Sequence, residues 1–213
     1  MDAKATVKVG PFARGGKSRV PTEAADHDFQ PDANVTPVGI FLPASDELFL
    51  FAITSKVTSD CLVDCLIAWW EQVRIRFLSI TTLLINLDNG PENHSRRTQF
   101  MQRLVDFVAH YGITLRLAYY PPYHSKYNPV ERCWGILENH WNGAVLDTIA
   151  AVVQFASTMT WKGNHPVVDL VTTVYHKGVK LSKEAMALVE AHLTRDTALG
   201  KWFVDIVPAP APG

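Results

Sequence analysis

Residues 82–90, Thr-Leu-Leu-Ile-Asn-Leu-Asp-Asn-Gly, constrain this chain more than any other stretch. Five of the seven residues over 82–88 are apolar or β-branched, and the run ends at a carboxylate followed by Asn89-Gly90. A short, nearly continuous apolar run reads as a strand buried on both faces, the kind found in the middle of an α/β sheet. Such a strand delivers its last residue to the sheet edge, where ligands of open α/β sheets bind. Asp88 then stands at the lip of a crevice. The Asn-Gly pair supports a second reading, a hairpin in which Asp88 only forms the turn. The stretch alone leaves both open.

The surrounding pattern alternates strands and helices. Over 3–9, Ala3, Ala5, Val7 and Val9 alternate with Lys4, Thr6 and Lys8, which predicts one strand with a polar face on which Asp2 lies. A loop rich in Gly, Pro and charge covers 10–29. Strands are predicted over 36–42 and 47–54, joined as a hairpin by Pro43-Ala-Ser-Asp46. Thr58, Ser59 and Asp60 offer N-caps for a helix to about Val73, with Leu62, Val63, Leu66, Ile67 and Trp70 at helical spacing. After Asp88, a helix over 97–111 buries Phe100, Leu104, Phe107 and Val108 and stops at Gly112.

A strand over 113–120 is broken by Pro121-Pro122, and a loop covers 123–128. Asn128-Pro129 then pairs an N-cap residue with proline at the first helical position. Glu131 falls in the first turn of that helix, which runs to about Trp141. Further expectations are a helix over 147–160, a short strand over 171–175, a helix over 182–193 and a disordered Pro-Ala tail over 207–213. Trp69, Trp70, Trp134 and Trp141 read as core aromatics. Trp134, one turn beyond Glu131, is expected to fix that helix against the sheet.

A hairpin followed by alternating α and β units predicts a mixed sheet flanked by helices, in the element order of the ribonuclease H-like fold. Residues 1–145 are expected to form its core and 146–206 a C-terminal extension packed on it. The 213-residue length suits one domain, or one domain with a subdomain. No apolar run is long enough to span a membrane, and the N-terminus has no signal-peptide pattern. Three cysteines, Cys61, Cys65 and Cys133, suit a reducing cytoplasm better than a disulfide framework. A net charge of −1 argues against strong non-specific DNA binding by the chain as a whole.

In this topology Asp2 on the first strand, Asp88 on a strand expected beside it, and Glu131 on the covering helix become neighbours. Three carboxylates on one rim repel unless a cation sits among them. Oxygen-only ligands select Mg²⁺ or Mn²⁺. Two such ions about 4 Å apart can activate a water and stabilise a leaving oxygen in phosphoryl displacement.

Asp88-Asn-Gly-Pro-Glu-Asn-His, followed by Tyr-His-Ser-Lys-Tyr-Asn-Pro-Val-Glu131-Arg-Cys-Trp-Gly, resembles the paired motif of DDE transposases. The likeness is to the Rhodopirellula-type family of bacterial insertion-sequence transposases, relatives of the mariner-like group. Met1-Asp2-Ala-Lys-Ala resembles that family's first-aspartate strand. Asp26-His-Asp-Phe29, the Trp69-Trp70 helix and Gly178-Val-Lys-Leu-Ser182 also fit.

The resemblance implies a triad of Asp2, Asp88 and Glu131 holding two Mg²⁺ or Mn²⁺ ions, nicking of transposon ends, and attack of the freed 3′-hydroxyl on target DNA. Partners are then transposon-end and target DNA, with a homo-oligomer when full length and no membrane. Lys126, Arg96, Arg97 and Arg132 are candidate DNA contacts. Two departures stand out. The family's N-terminal DNA-binding region has no counterpart here, and the first-aspartate strand lacks its leading half. The chain therefore reads as N-terminally truncated, with an inactive remnant that acts as an interaction or DNA-binding module as the alternative to an active transposase core.

Overall fold

The computed structural model describes residues 1–18, 21, 23–24, 30–121 and 127–208. In chain order its elements are β1 (Asp2–Ala3), β2 (Val7–Val9), β3 (Ala33–Leu42), β4 (Glu47–Ile53), α1 (Ser59–Val73), β5 (Thr82–Leu87), α2 (Thr98–Tyr111), β6 (Thr114–Tyr119), α3 (Pro129–His140), α4 (Ile149–Thr158), β7 (Val167–Val171), α5 (Lys183–Glu190), β8 (Leu193–Arg195) and β9 (Phe203–Ile206). This is a mixed α/β fold consistent with the ribonuclease H-like class. The strands form two mixed sheets where one was expected: β1 pairs with β3 in one and β5 with β6 in the other, so the Asp88 strand is not hydrogen-bonded beside β1 as expected. Two compact units result, one of residues 1–56 and 129–174, the other of 57–128 and 175–213.

In the first unit, β3 pairs antiparallel with β1, β2 and β4, and β7 lies parallel to β4. The strand buried on both faces is β4, which has partners on both sides. Leu48, Leu50 and Ala52 on one of its faces join Val130, Trp134, Leu137 and Trp141 of the α3 region and Val152 and Ala156 of α4 in one core. The fourth helix is capped by the Thr148 hydroxyl, which accepts from Ala151 N–H at 3.1 Å.

The single strand predicted over 3–9 is instead two, and the break changes which side Asp2 faces. From Ala3↔Val38 to Val7↔Val35 the register advances four residues on one strand and three on the other. One extra residue is bulged out, and a one-residue slip moves every later side chain to the opposite face. The break sits opposite a proline: Lys4 N–H donates to Pro37 C=O at 2.8 Å, and Pro37 has no N–H to return. Val7 and Val9 are therefore buried with Asp2, which does not lie on the polar face.

In the second unit, β5 and β6 are parallel, β9 is antiparallel to β6, and β8 to β9. Ile85, Leu87, Leu115, Leu117, Tyr119, Val204 and Ile206 line the buried face. The expectation that 82–88 is buried on both faces fails: β5 is an edge strand and Leu84, on its other face, is 55% exposed. Helices α1 and α2 are clamped by Arg103, which bridges Asp60 and Asp64. The Thr58 hydroxyl caps α1, and Gly112 (φ +66°) ends α2 in the left-handed conformation.

The strand expected over 171–175 lies at Val167–Val171, where the run Val-Val-Asp-Leu-Val pairs with residues 49–53 of β4. Strands β8 and β9 were not predicted; both are too short for a periodicity signal. Of the expected tail, 209–213 lie outside the described residues.

Candidate active site

Asp2 and Glu131 belong to the first unit. Asp2 is only 5% exposed, unusual for a carboxylic side chain. Its Oδ2 accepts a hydrogen bond of 2.9 Å from Trp134 Nε1. Gly39 stands opposite Asp2 in the β1–β3 ladder and makes the approach possible. A Cβ there would lie 2.6 Å from Trp134 Cη2 and 3.1 Å from Val130 Cγ1. The bare backbone thus lets α3 close onto the sheet until its tryptophan reaches the aspartate. Glu131 sits one turn earlier, half-buried, in the first turn of the helix. A carboxylate is electrostatically favoured at that end.

A second brace fixes the other end of α3. Glu138 accepts from Lys4 Nζ and from Trp141 Nε1, the latter at 2.6 Å. The Arg14 guanidinium lies 5.3 Å from the centre of the Trp141 ring. Burial pushes the Glu138 carboxyl up, but hydrogen bonds from Lys4 and Trp141 and the charges of Lys4 and Arg14 outweigh it, so the net shift is down. Burial depresses Arg14, with Glu138 opposing.

Asp88 belongs to the second unit and is exposed just past β5. Its Oδ1 accepts from Gly90 N–H at 3.2 Å and from Asn93 Nδ2 at 2.8 Å. Asn89 takes φ +63°, a left-handed conformation that asparagine tolerates. The hairpin reading of Asn89-Gly90 is overturned, because the strands on either side, β5 and β6, are parallel and α2 intervenes. The loop after Asp88 is pinned at two carbonyls. Tyr119 Oη donates to Asn93 C=O at 2.9 Å, and Ser59 Oγ donates to Glu92 C=O at 2.7 Å. Burial drives the Tyr119 phenol far above its ordinary value; Arg195 opposes this and Asp88 adds to it.

The candidate DNA contacts differ in availability. Arg97 is engaged inside its unit, with an ion pair of 3.1 Å to Glu92 and a 3.3 Å hydrogen bond to Ser59 Oγ. Arg96 and Arg132 are exposed. Lys126 and the Asp26-His-Asp-Phe29 motif lie outside the described residues. Within neither unit do the described residues gather three or more His, Cys, Asp or Glu side chains closely enough to hold a metal ion. Trp69, Trp70, Trp134 and Trp141 are buried, as expected of core aromatics, and all three cysteines are buried thiols outside any disulfide.

Two contacts escaped the sequence reading. Trp134 was expected to fix its helix, but its bond to Asp2 depends on a register break that periodicity does not reveal. Asn93 appears in the sequence reading only as part of the Asp88 motif, with no role of its own; a second amide-bearing side chain five positions after Asp88 was the available signal. Among described residues, no helix is long and apolar enough to cross a membrane.

Compared with known proteins, residues 1–208 match the family model described as the Rhodopirellula transposase DDE domain. No curated protein matches the chain, and no solved structure does.

Proposed function

Because this chain belongs to the Rhodopirellula transposase DDE domain family, we propose that it nicks DNA at transposable-element ends and joins the freed 3′-hydroxyl to target DNA, with Asp2, Asp88 and Glu131 as its metal-holding carboxylates. The observation that carries this reading is the tie between Asp2 and Trp134, which couples the first candidate ligand to the helix bearing the third. Asp2 is buried, and a cation beside a buried carboxylate favours its charged form.

The chemistry of the assigned donors suits the group. It is made of carboxylate oxygens only, which suits Mg²⁺ or Mn²⁺ over softer metals. When bound, two such ions supply water activation and charge stabilisation for in-line displacement at phosphorus. The protein's share is to hold its oxygens ready. Trp134 fixes Asp2, the first turn of α3 carries Glu131, and the loop after β5 holds one oxygen of Asp88. Arg96, Arg132 and Lys126 are assigned to phosphate contacts, and Arg97 to bracing the loop.

We assign the catalytic core to 1–145, which contains all three carboxylates. The extension over 146–206 lends β7 to one sheet and β8 and β9 to the other. The partners are transposon-end and target DNA and, in the full-length protein, further copies of itself. Three cysteines that form no disulfide accord with a cytoplasmic setting.

The test is nicking of plasmid DNA carrying the element's ends, with Mn²⁺ or Mg²⁺. The wild-type chain nicks, and Asp88→Ala abolishes the activity. Equal nicking by the variant overturns the assignment. No nicking by the wild type in either ion favours the remnant reading.

A further inference from the structure

We propose that Asn93 is a positioning residue for Asp88, turning that carboxylate so that Oδ2 alone is offered to a divalent cation. This rests on Asp88 being a metal ligand, as assigned above.

The orientation of the Asn93 amide is fixed by chemistry. A carboxylate only accepts, so the group 2.8 Å from Asp88 Oδ1 is the amide nitrogen. That places Asn93 Oδ1 on the opposite side, where it is buried and, among the described residues, has no hydrogen-bond partner. Native structures rarely leave a buried acceptor unpaired, and doing so is costly. The amide therefore satisfies Asp88 rather than itself. At 6% exposure the Asn93 side chain is held by its surroundings.

The backbone of Asn93 is held as well. Its C=O accepts from Tyr119 Oη at 2.9 Å, and its N–H donates to Gly90 C=O at 3.3 Å. Tyr119 is the register partner of Leu87, the residue just before Asp88. A closed circuit results, running from Leu87 to Asp88, through the amide to Asn93, through the phenol to Tyr119, and across the sheet back to Leu87. Gly90 N–H, the other loop donor, reaches the same oxygen, Oδ1. Among the described residues Oδ2 accepts no hydrogen bond. A carboxylate at an exposed strand end otherwise turns freely, and this circuit removes that freedom before a cation arrives.

Outer partners of metal ligands affect affinity by about 10- to 100-fold. Mn²⁺ titration calorimetry on the full chain, with apo melting curves alongside, tests the inference. Asn93→Leu keeps the volume but removes the donor; it is expected to weaken Mn²⁺ binding by about 10-fold or more, with an apo midpoint near that of the wild type because the unpaired acceptor goes too. Tyr119→Phe, which releases the Asn93 backbone without touching Asp88, is expected to weaken binding less, and it carries the test if Asn93→Leu does not fold. Wild-type affinity in both variants, while Asp88→Asn loses binding, overturns the role of Asn93 and leaves the site assignment standing. Binding that survives Asp88→Asn overturns the site assignment, and this inference with it.

Discussion

Trp134 Nε1 lies 2.9 Å from Asp2 Oδ2, a bond that joins two residues 132 positions apart in the chain. It is a neutral donor on a buried carboxylate, and it ties α3 to β1. Hydrogen bonds to charged groups are worth about 1.5–3 kcal/mol. Trp134→Phe retains an aromatic ring and loses the N–H, so it is expected to lower stability by about 2 kcal/mol in urea denaturation. An unchanged denaturation midpoint and slope would show that the bond contributes nothing.

Gly39→Ala attacks the same contact from the sheet side. The added methyl meets the Trp134 ring at 2.6 Å, and overpacking of this kind costs about 1–3 kcal/mol. Trp134→Leu makes room for it. The double variant is therefore expected to cost less than the two single losses added together. Strict additivity would mean that the ring and residue 39 do not press on each other.

Acid should loosen the far end of α3. The Glu138 carboxyl lies below its ordinary value in the folded chain because hydrogen bonds from Lys4 and Trp141, with the charges of Lys4 and Arg14, outweigh its burial. A depressed carboxylate stabilises fully above its unfolded pKa, about 4.3, and that contribution is lost as pH falls through the lower folded value. Glu138→Gln is expected to be less stable than the wild type at pH 7, with the gap closing in denaturation curves taken at progressively lower pH below about 4. A gap that stays constant with pH would remove Glu138 as its source.

Arg96 and Arg97 are neighbours with different expected phenotypes. Arg97 is paired with Glu92 and Ser59, so Arg97→Ala should lower the melting midpoint. Arg96 is exposed, so Arg96→Ala should leave melting unchanged and reduce the salt dependence of DNA binding by about one phosphate contact. Fluorescence anisotropy over a salt series reads the second effect; an unaltered slope removes Arg96 from the interface.

Local chemistry written in adjacent residues was legible in the sequence. The Thr58 cap, the stop at Gly112, the Asn128-Pro129 start of α3 and the Pro43-Ala-Ser-Asp46 connection each rest on side chains acting within a few positions. What the sequence did not reveal depended on distant pairing. The burial of Asp2 comes from a bulge opposite Pro37, some thirty residues away, which inverts a polar–apolar alternation that looked continuous. The apolar run before Asp88 looked like a central strand, but centrality is set by partners, and β4 has two where β5 has one. Both Asp88 and Glu131 stand at the element ends where turn and cap signals put them, whereas the hold of Asn93 on Asp88 needed coordinates.

The central claim is that Asp2, Asp88 and Glu131 together bind divalent cations, and a melting series in rising Mn²⁺ tests it most directly. A ligand that binds only the folded chain raises the midpoint, by about 2.7 kcal/mol of stability at a hundredfold excess over its dissociation constant. The wild-type midpoint is expected to climb with Mn²⁺, and Asp2→Asn, Asp88→Asn and Glu131→Gln are each expected to lose most of that climb. Three single variants that climb as the wild type does would contradict the account.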